Sequence, residues 1–384
     1  MTNDRPVLGR RHWQGLSIGP PVTLDPSSSL LIVGPTQAGK TSSLVIPALL
    51  RWSGALVVTS VKRDVVETTL GWRRTLGQVQ VLEPGREGGL TWDPLEGVTT
   101  LRHATRVARD LTIGSNDRGD VEFWNALATK LVAGLMMLAK DRGRTIFDVS
   151  KMVEDHDVDS WLGDRSNSLA SDAVRSFLAH DPKTLDGVFT TAETMLMPWR
   201  FPQPLAQIRS VLAGANTLYL CASRSEQRHY EPLFRGALRM VLEEQQRQVD
   251  EGRSRRVLMV LDEAATVASL DELDQLAATV SGLNVTLVTV VQDFAQLVAR
   301  WGARAATIVN NHTTRVVLAG LADPTLGTYL PELVDASNDT THVGLRLHPK
   351  GTAMVVSGGR RVYGVRLRPW WRYRQLRRRG VGGR

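Results

Sequence analysis

Three points along the chain carry residues equipped for chemistry. The first is Gly34-Pro35-Thr36-Gln37-Ala38-Gly39-Lys40-Thr41, which has the spacing Gly-x-x-x-x-Gly-Lys-Thr and is followed by Ser42. A glycine-rich turn of this spacing offers backbone N–H groups to phosphate oxygens. Its lysine neutralises charge at the β- and γ-phosphates, and the Thr41 hydroxyl can ligate Mg²⁺. The second is Asp262-Glu263, directly after the apolar run Val257–Leu261. A phosphate loop needs an acid at the end of another apolar strand. Asp262 would hold Mg²⁺ through water, and Glu263 would orient and deprotonate the attacking water. Taken alone, Asp262-Glu263 reads as a helix cap; beside the loop it reads as nucleotide chemistry. The third is Gln292, at the end of Val285–Val291. Its amide either contacts the γ-phosphate or lytic water, and so senses nucleotide state, or merely precedes a helix capped by Asp293.

The expected catalytic set is Lys40, Glu263 and Gln292. The nucleotide-binding set is Gly34, Pro35, Thr36, Gln37, Ala38, Gly39, Lys40, Thr41 and Ser42, and the metal set is Thr41 with Asp262 acting through water. ATP and Mg²⁺ are the implied ligands.

These residues require strands that end together and helices that start there. Leu30–Val33 and Ala55–Thr59 read as strands, Lys40–Arg51 and Val61–Trp72 as helices, and Val79–Leu82 as a short strand. Such alternation argues for βαβ units and a parallel sheet. From about Thr99 to Pro204 the pattern turns helical, with Phe123-Trp124, Leu127, Leu131, Leu135 and Leu138 at three- and four-residue spacing. Trp161, Phe177, Val188, Met195 and Trp199 add apolar anchors. Strand signals resume at Thr217–Ala222, Val257–Leu261, Val285–Val291, Thr314–Ala319 and Thr352–Val356. The expected fold is α/β: a RecA-like P-loop NTPase with a mostly parallel central sheet and an inserted all-α domain. The expected division is 1–112 for the first part of the nucleotide-binding domain, with a surface arm at 1–28. It continues with 113–205 for the all-α domain, 206–358 for the second part and 359–384 for a basic, aromatic tail.

Composition sets further bounds. The 384 residues hold one cysteine, Cys221, which excludes an internal disulfide and a cysteine-only zinc site and fits a reducing compartment. The net charge of +8 is uneven: residues 359–384 contain ten arginines and no acid, leaving 37 of the 47 Lys and Arg against 39 acids in the rest. In the segment Arg366-Leu-Arg-Pro-Trp-Trp-Arg-Tyr-Arg374, cations and rings alternate. That composition suits phosphates and unpaired bases, an anionic membrane surface, or a flexible solubilising end. No apolar run approaches the ~20 residues that cross a bilayer, and no charged leader precedes an apolar stretch. The chain is therefore expected to be cytoplasmic, peripheral to the membrane.

Taken in order, these motifs resemble the VirD4/TraG coupling proteins of type IV secretion and conjugation and, more distantly, the FtsK/HerA class of ring-shaped ATPases. The likeness runs through GPTQAGKT, Val45-Ile46-Pro47, Trp52–Val58, Trp92-Asp93-Pro94-Leu95, Phe123-Trp124 and Thr217–Leu220. It closes with Leu261–Ala264, Val291-Gln292-Asp293 and Asn310–Val317. The resemblance implies a hexameric ATPase, possible as a monomer in isolation, at the cytoplasmic mouth of a secretion channel. It also implies a relaxase–DNA complex or secreted protein as cargo, single-stranded DNA as the translocated strand, and type IV secretion channel components as partners. The all-α domain would read the substrate, with Asn125, Lys130 and the Asp117–Glu122 turn on its recognition surface.

Three departures from the family pattern stand out. The two membrane-spanning helices usual at its start are not seen. The usual Asp-Pro-Lys after the second strand is Thr59-Ser60-Val61-Lys62, which keeps the lysine and loses the acid. The position that often holds an arginine ahead of the Gln-terminated strand is Ser281. A trans-acting arginine is worth roughly 10³–10⁵ in rate, so hydrolysis should be slow unless Arg300, Arg304 or Arg315 substitutes; Arg315 also reads as a solvent-facing strand residue.

Overall fold

The protein is described here by a computed structural model covering residues 5–13, 16–112, 120–162, 168–223, 225–267, 270–329, 349–358 and 361–381. Its strands are β1 (Val7–Trp13), β2 (Leu16–Thr23), β3 (Ser29–Val33), β4 (Ala55–Ser60), β5 (Val79–Leu82), β6 (Thr91–Trp92) and β7 (Leu205–Ala206). They continue with β8 (Thr217–Cys221), β9 (Val257–Leu261), β10 (Val285–Val291), β11 (Thr314–Leu318), β12 (Thr352–Ser357) and β13 (Arg361–Arg366). Eleven of them form one sheet in the order β2-β1-β13-β12-β11-β3-β10-β9-β4-β8-β5. The run β11-β3-β10-β9-β4-β8 is parallel. Its strands are uninterrupted apolar runs because both faces are covered: every residue of β3, β4, β8, β9 and β10 is buried.

Beyond β11 the sheet turns antiparallel through β12, β13, β1 and β2. Val7–Trp13 and Leu16–Thr23, expected within a surface arm, therefore form the last two strands at one end of the sheet, β2 being the edge, with Leu8 and Leu24 buried. The described part of the basic tail is also ordered as β13, a short turn at Trp370–Arg372 and a helix at Arg374–Val381. That helix packs on the helices Ile46–Arg51 and Arg63–Arg74. Leu376 is buried, Arg379 donates to Leu50 O at 2.6 Å, and its guanidinium lies 4.2 Å from the Trp72 ring. A flexible solubilising end is excluded for these residues.

Two compact units emerge, one holding residues 1–80, 209–223 and 241–384, the other 81–208 and 224–240. The second unit is largely helical and begins before residue 113, because Trp92 belongs to its core. The Trp92 indole donates to Leu233 O at 3.0 Å, its carbonyl accepts from the Trp199 indole at 2.6 Å, and the two rings meet edge to face. The centre of this unit is the helix Asp120–Asp141, packed by those at Leu101–Asp110, Leu169–Leu178 and Pro182–Leu196. Leu131, Leu135, Leu138, Phe177, Val188, Met195 and Trp199 are buried; Phe123, with 56% of its surface exposed, is not. Residues 121–141 are long and apolar enough to cross a membrane by length and composition, against the expectation from apolar runs alone. Residues 131, 132, 135, 136, 138 and 139 are nonetheless buried within the helical unit.

Candidate nucleotide site

In a parallel sheet flanked by helices, ligands collect where strands end at the carboxyl edge. Here register brings three such ends together. Val33 of β3 pairs with Val291 of β10, and Leu261 of β9 pairs with Thr289 of β10 and Thr59 of β4. The residues that follow bring Gly34 beside Asp262 and Gln292, each more than two hundred residues away from it in sequence.

The loop leaves β3 through Gly34, whose N–H donates to Val291 O at 3.3 Å. A Cβ there would lie 2.7 Å from the Leu318 Cβ, so only glycine fits without a shift. Gln37 and Gly39 both take positive φ, 64° and 94°, which curls the loop back and is costly for Gln37. Ala38 N–H donates to Pro35 O, and Ser42 Oγ to Gly39 O at 3.5 Å. The chain then enters a π-helical turn, Thr41–Val45, a variant that is frequent at functional sites, before the α-helix Ile46–Arg51.

Lys40 is 7% exposed and its ammonium donates to the loop's own carbonyls, Gly34 O at 2.5 Å and Pro35 O at 3.1 Å. Burial lowers its pKa, against the opposing pull of Glu263, Asp262 and Asp293. Asp262, 6% exposed, accepts from Thr41 Oγ1 at 3.4 Å, and its main-chain carbonyl accepts from Thr59 Oγ1 at 3.1 Å. Burial pushes its carboxyl up to about 7, with Glu263 and Asp64 adding to the rise and Lys40 and Thr41 opposing it. A buried acid crowded by two further acids is short of positive charge, and Thr41 and Asp262 are the pair that could supply it a metal. Among the described residues no group of three or more His, Cys, Asp and Glu could hold a metal by itself. Two protein ligands with water and phosphate oxygens are the usual set for Mg²⁺.

Glu263 has φ of 56°, a strained backbone for a non-glycine residue. The turn is fixed by Ala264 N–H donating to Val290 O and by Thr266 and Val267 N–H donating to Glu263 O. Gln292 Nε2 donates to both carboxylate oxygens of Glu263, at 3.3 and 3.2 Å, while its Oε1 accepts from Thr36 Oγ1 at 3.4 Å. Asp293 caps the helix Phe294–Trp301 through Gln296 N–H at 2.8 Å. The capping reading thus holds for Asp293, while Gln292 is bonded to Glu263 and Thr36 at the loop.

The structure gathers every residue of the expected set at this edge. Asp64 was not legible beforehand: it lies in the first turn of the helix Arg63–Arg74 and acts on Asp262 through space. Its nearness to Lys62, the retained lysine of an otherwise altered motif, was the available signal. Ser281 is exposed in the turn before β10, the end of the strand opposite Gln292. Arg300 and Arg304 are ion-paired to Asp271 and Asp274 at 3.2 and 3.4 Å. Arg315 lies in β11 level with Leu31, mid-strand rather than at the edge, and is half-buried with its Nε unbonded. Asn125 and Lys130 line a groove of about 520 Å³ in the helical unit with Arg109, Glu122 and Thr129. Of the expected Asp117–Glu122 turn, residues 117–119 lie outside the described residues, and residues 120–122 open the helix Asp120–Asp141 instead.

The sheet, the loop and the acids at its carboxyl edge define a RecA-like P-loop NTPase fold. The plasmid coupling protein TrwB in complex with ADP and Mg²⁺ has this fold at a TM-score of 0.71, with 18% identity and 95% of each chain covered. VirB4 of Thermoanaerobacter pseudethanolicus follows at 0.61, with 14% identity, covering 96% of this chain and 98% of that one. By sequence, the chain belongs to the family described as type IV secretory system conjugative DNA transfer, which it matches over residues 12–337. Conjugal transfer protein TraG of Escherichia coli is 25% identical over 312 residues, 71% of this chain and 49% of that protein. VirD4 of Agrobacterium fabrum is 23% identical over 329 residues, 79% and 49% respectively. The chain spans about half the length of these curated relatives.

Proposed function

We propose that the chain is an ATP-hydrolysing coupling protein of a type IV secretion or conjugation channel. It recruits a relaxase–DNA complex or a protein substrate and drives it, most readily as single-stranded DNA, through a hexamer at the cytoplasmic face of the membrane. The observation that supports this best is the meeting of Lys40, Thr41, Asp262, Glu263 and Gln292 at one sheet edge. The loop Gly34–Ser42 cradles the phosphates and Lys40 exchanges its carbonyl partners for them. Thr41, and Asp262 through water, would hold Mg²⁺, which would supply charge neutralisation at the triphosphate. Glu263 takes the proton of the attacking water on its carboxylate, and Gln292 fixes that carboxylate while sensing the loop through Thr36. The similarly folded TrwB, in complex with ADP and Mg²⁺, accords with these ligands.

A second reading, a nucleotide-binding adaptor with little turnover, is favoured by Ser281 and by the ion pairs that occupy Arg300 and Arg304. Phosphate release, measured with and without single-stranded DNA across protein concentration, separates the two. A motor gains specific activity as it assembles. Lys40→Ala should abolish turnover with the fold intact, and Glu263→Gln should bind ATP without cleaving it. Turnover that survives Lys40→Ala would sink the assignment, and binding with no turnover in the unaltered chain would favour the adaptor.

A further inference from the structure

The ordered C-terminal segment carries a second site, remote in sequence from the phosphate loop. Arg10, Arg366, Arg368 and Arg372 line a groove of about 460 Å³ with Leu367, Pro369 and Tyr373, and among the described residues no carboxylate lines it. The frame is fixed by backbone. Arg10 pairs with Arg366 across β1 and β13, Leu367 N–H donates to Gly351 O at 2.7 Å, and Arg372 N–H donates to Pro369 O at 3.0 Å. Arg368 also donates to Arg372 O at 2.7 Å. All four arginines are exposed, and none forms an ion pair among the described residues. Four fixed like charges around one groove repel one another, and an anion placed among them relieves that repulsion.

The aromatic residues decide which anion. Binding a single strand of nucleic acid without sequence preference uses free ring faces for base stacking. Here Tyr373 has guanidinium groups at 4.8 and 5.0 Å, those of Arg51 and Arg368. Trp370 is packed so closely on Gly380 that a Cβ there would lie 2.5 Å from the ring. Trp371 alone projects, 47% exposed, beside the arginines. One projecting indole among arginines, with no stacking platform, is the arrangement that settles at lipid headgroups. We propose that the groove formed by Arg10, Arg366, Arg368 and Arg372 binds the phosphate headgroups of an anionic bilayer, with Trp371 seated at the interface. The assignment is independent of the nucleotide chemistry at the other site.

Flotation of the intact chain with vesicles tests it, comparing phosphatidylcholine alone with phosphatidylcholine mixed with phosphatidylglycerol. Binding should require phosphatidylglycerol and weaken as salt rises. Each arginine near such a surface is worth about five-fold in partitioning. The triple variant Arg366→Gln, Arg368→Gln, Arg372→Gln should therefore bind on the order of a hundred-fold less. A charge-matched control, Arg374→Gln, Arg377→Gln, Arg378→Gln, alters exposed tail arginines outside the groove and should lose far less; equal loss in the two variants overturns a defined site. Equal melting temperatures show that both variants fold, and Trp371→Ala, at full charge, provides a second variant that should also weaken binding. Indifference to phosphatidylglycerol overturns the proposal. So does displacement by free glycerol phosphate at matched phosphate concentration, which would mark a small-anion site. Tight binding of a single-stranded oligonucleotide with the same arginine dependence, and no vesicle binding, would make this a nucleic-acid site instead.

Discussion

Replacing Asp262 by asparagine should make the metal-free protein more stable while removing its chemistry. The carboxyl is 6% exposed and its pKa stands at about 7 against an ordinary 3.8. Because the folded value is the higher one, the folded state holds a proton between roughly pH 4 and pH 7 that the unfolded chain has released. Stability from this group is therefore greatest in acid and falls as pH rises toward 7, after which it is level. The slope is about 1.4 kcal/mol per pH unit, which over some three units comes to about 4 kcal/mol. Asparagine has nothing to ionise and keeps a similar shape. Denaturant unfolding of both proteins in EDTA, at pH 5, 6, 7 and 8, reads the difference. It should open steadily in favour of Asp262→Asn up to about pH 7 and then stop growing. With Mg²⁺ and ATP the order should invert, since the unaltered protein gains the stabilisation of a bound ligand and the variant gains less. A pH-independent difference, or one that favours the unaltered protein in EDTA at pH 8, would refute the account of Asp262 as a buried acid awaiting a cation.

Two further predictions concern the scaffold. Gly34→Ala should destabilise the protein by roughly 1–3 kcal/mol, because its Cβ would stand 2.7 Å from that of Leu318; adding Leu318→Ala should relieve the clash and restore binding of a fluorescent ATP analogue, and failure of that rescue would place the cost elsewhere. Arg73 is fully buried and donates to Thr217 Oγ1 and to the carbonyls of Trp52, Gly54 and Ala215, so Arg73→Met should cost about 3–5 kcal/mol in chemical unfolding by stranding these acceptors, whereas a loss below 1 kcal/mol would show that they find other partners.

The parallel half of the sheet was legible because strands buried on both faces must be written in apolar residues, as Leu30–Val33 and Val285–Val291 are. Of the antiparallel half only β12 was, from Thr352–Val356. Gly9-Arg10-Arg11-His12 in β1 and Arg361-Val-Tyr-Gly in β13 carry charge and glycine where an alternating pattern would announce a strand, and the pairing of β13 with β12 and of β1 with β13 supplies what the pattern lacks. The site itself was legible residue by residue, since each member follows a recognisable strand. Its couplings were not: the Thr36–Gln292–Glu263 chain of hydrogen bonds and the influence of Asp64 on Asp262 depend on which strands are neighbours. The ion pairs of Arg300 and Arg304 with Asp271 and Asp274 were hidden for the same reason, each joining partners about thirty residues apart.

The docking of Arg374–Val381 has a consequence for how the two ends of the sheet unit behave. Leu50 O, one of the last carbonyls of the helix that follows the phosphate loop, is capped by Arg379, and Trp72 on the next helix is covered by the same side chain. What reads in the sequence as a disposable string of arginines is a bolt through the mounting of the loop. A tag or truncation placed at Arg374–Val381 would uncover Trp72 and strip Leu50 O of its partner, at the far end of the helix that follows the phosphate loop.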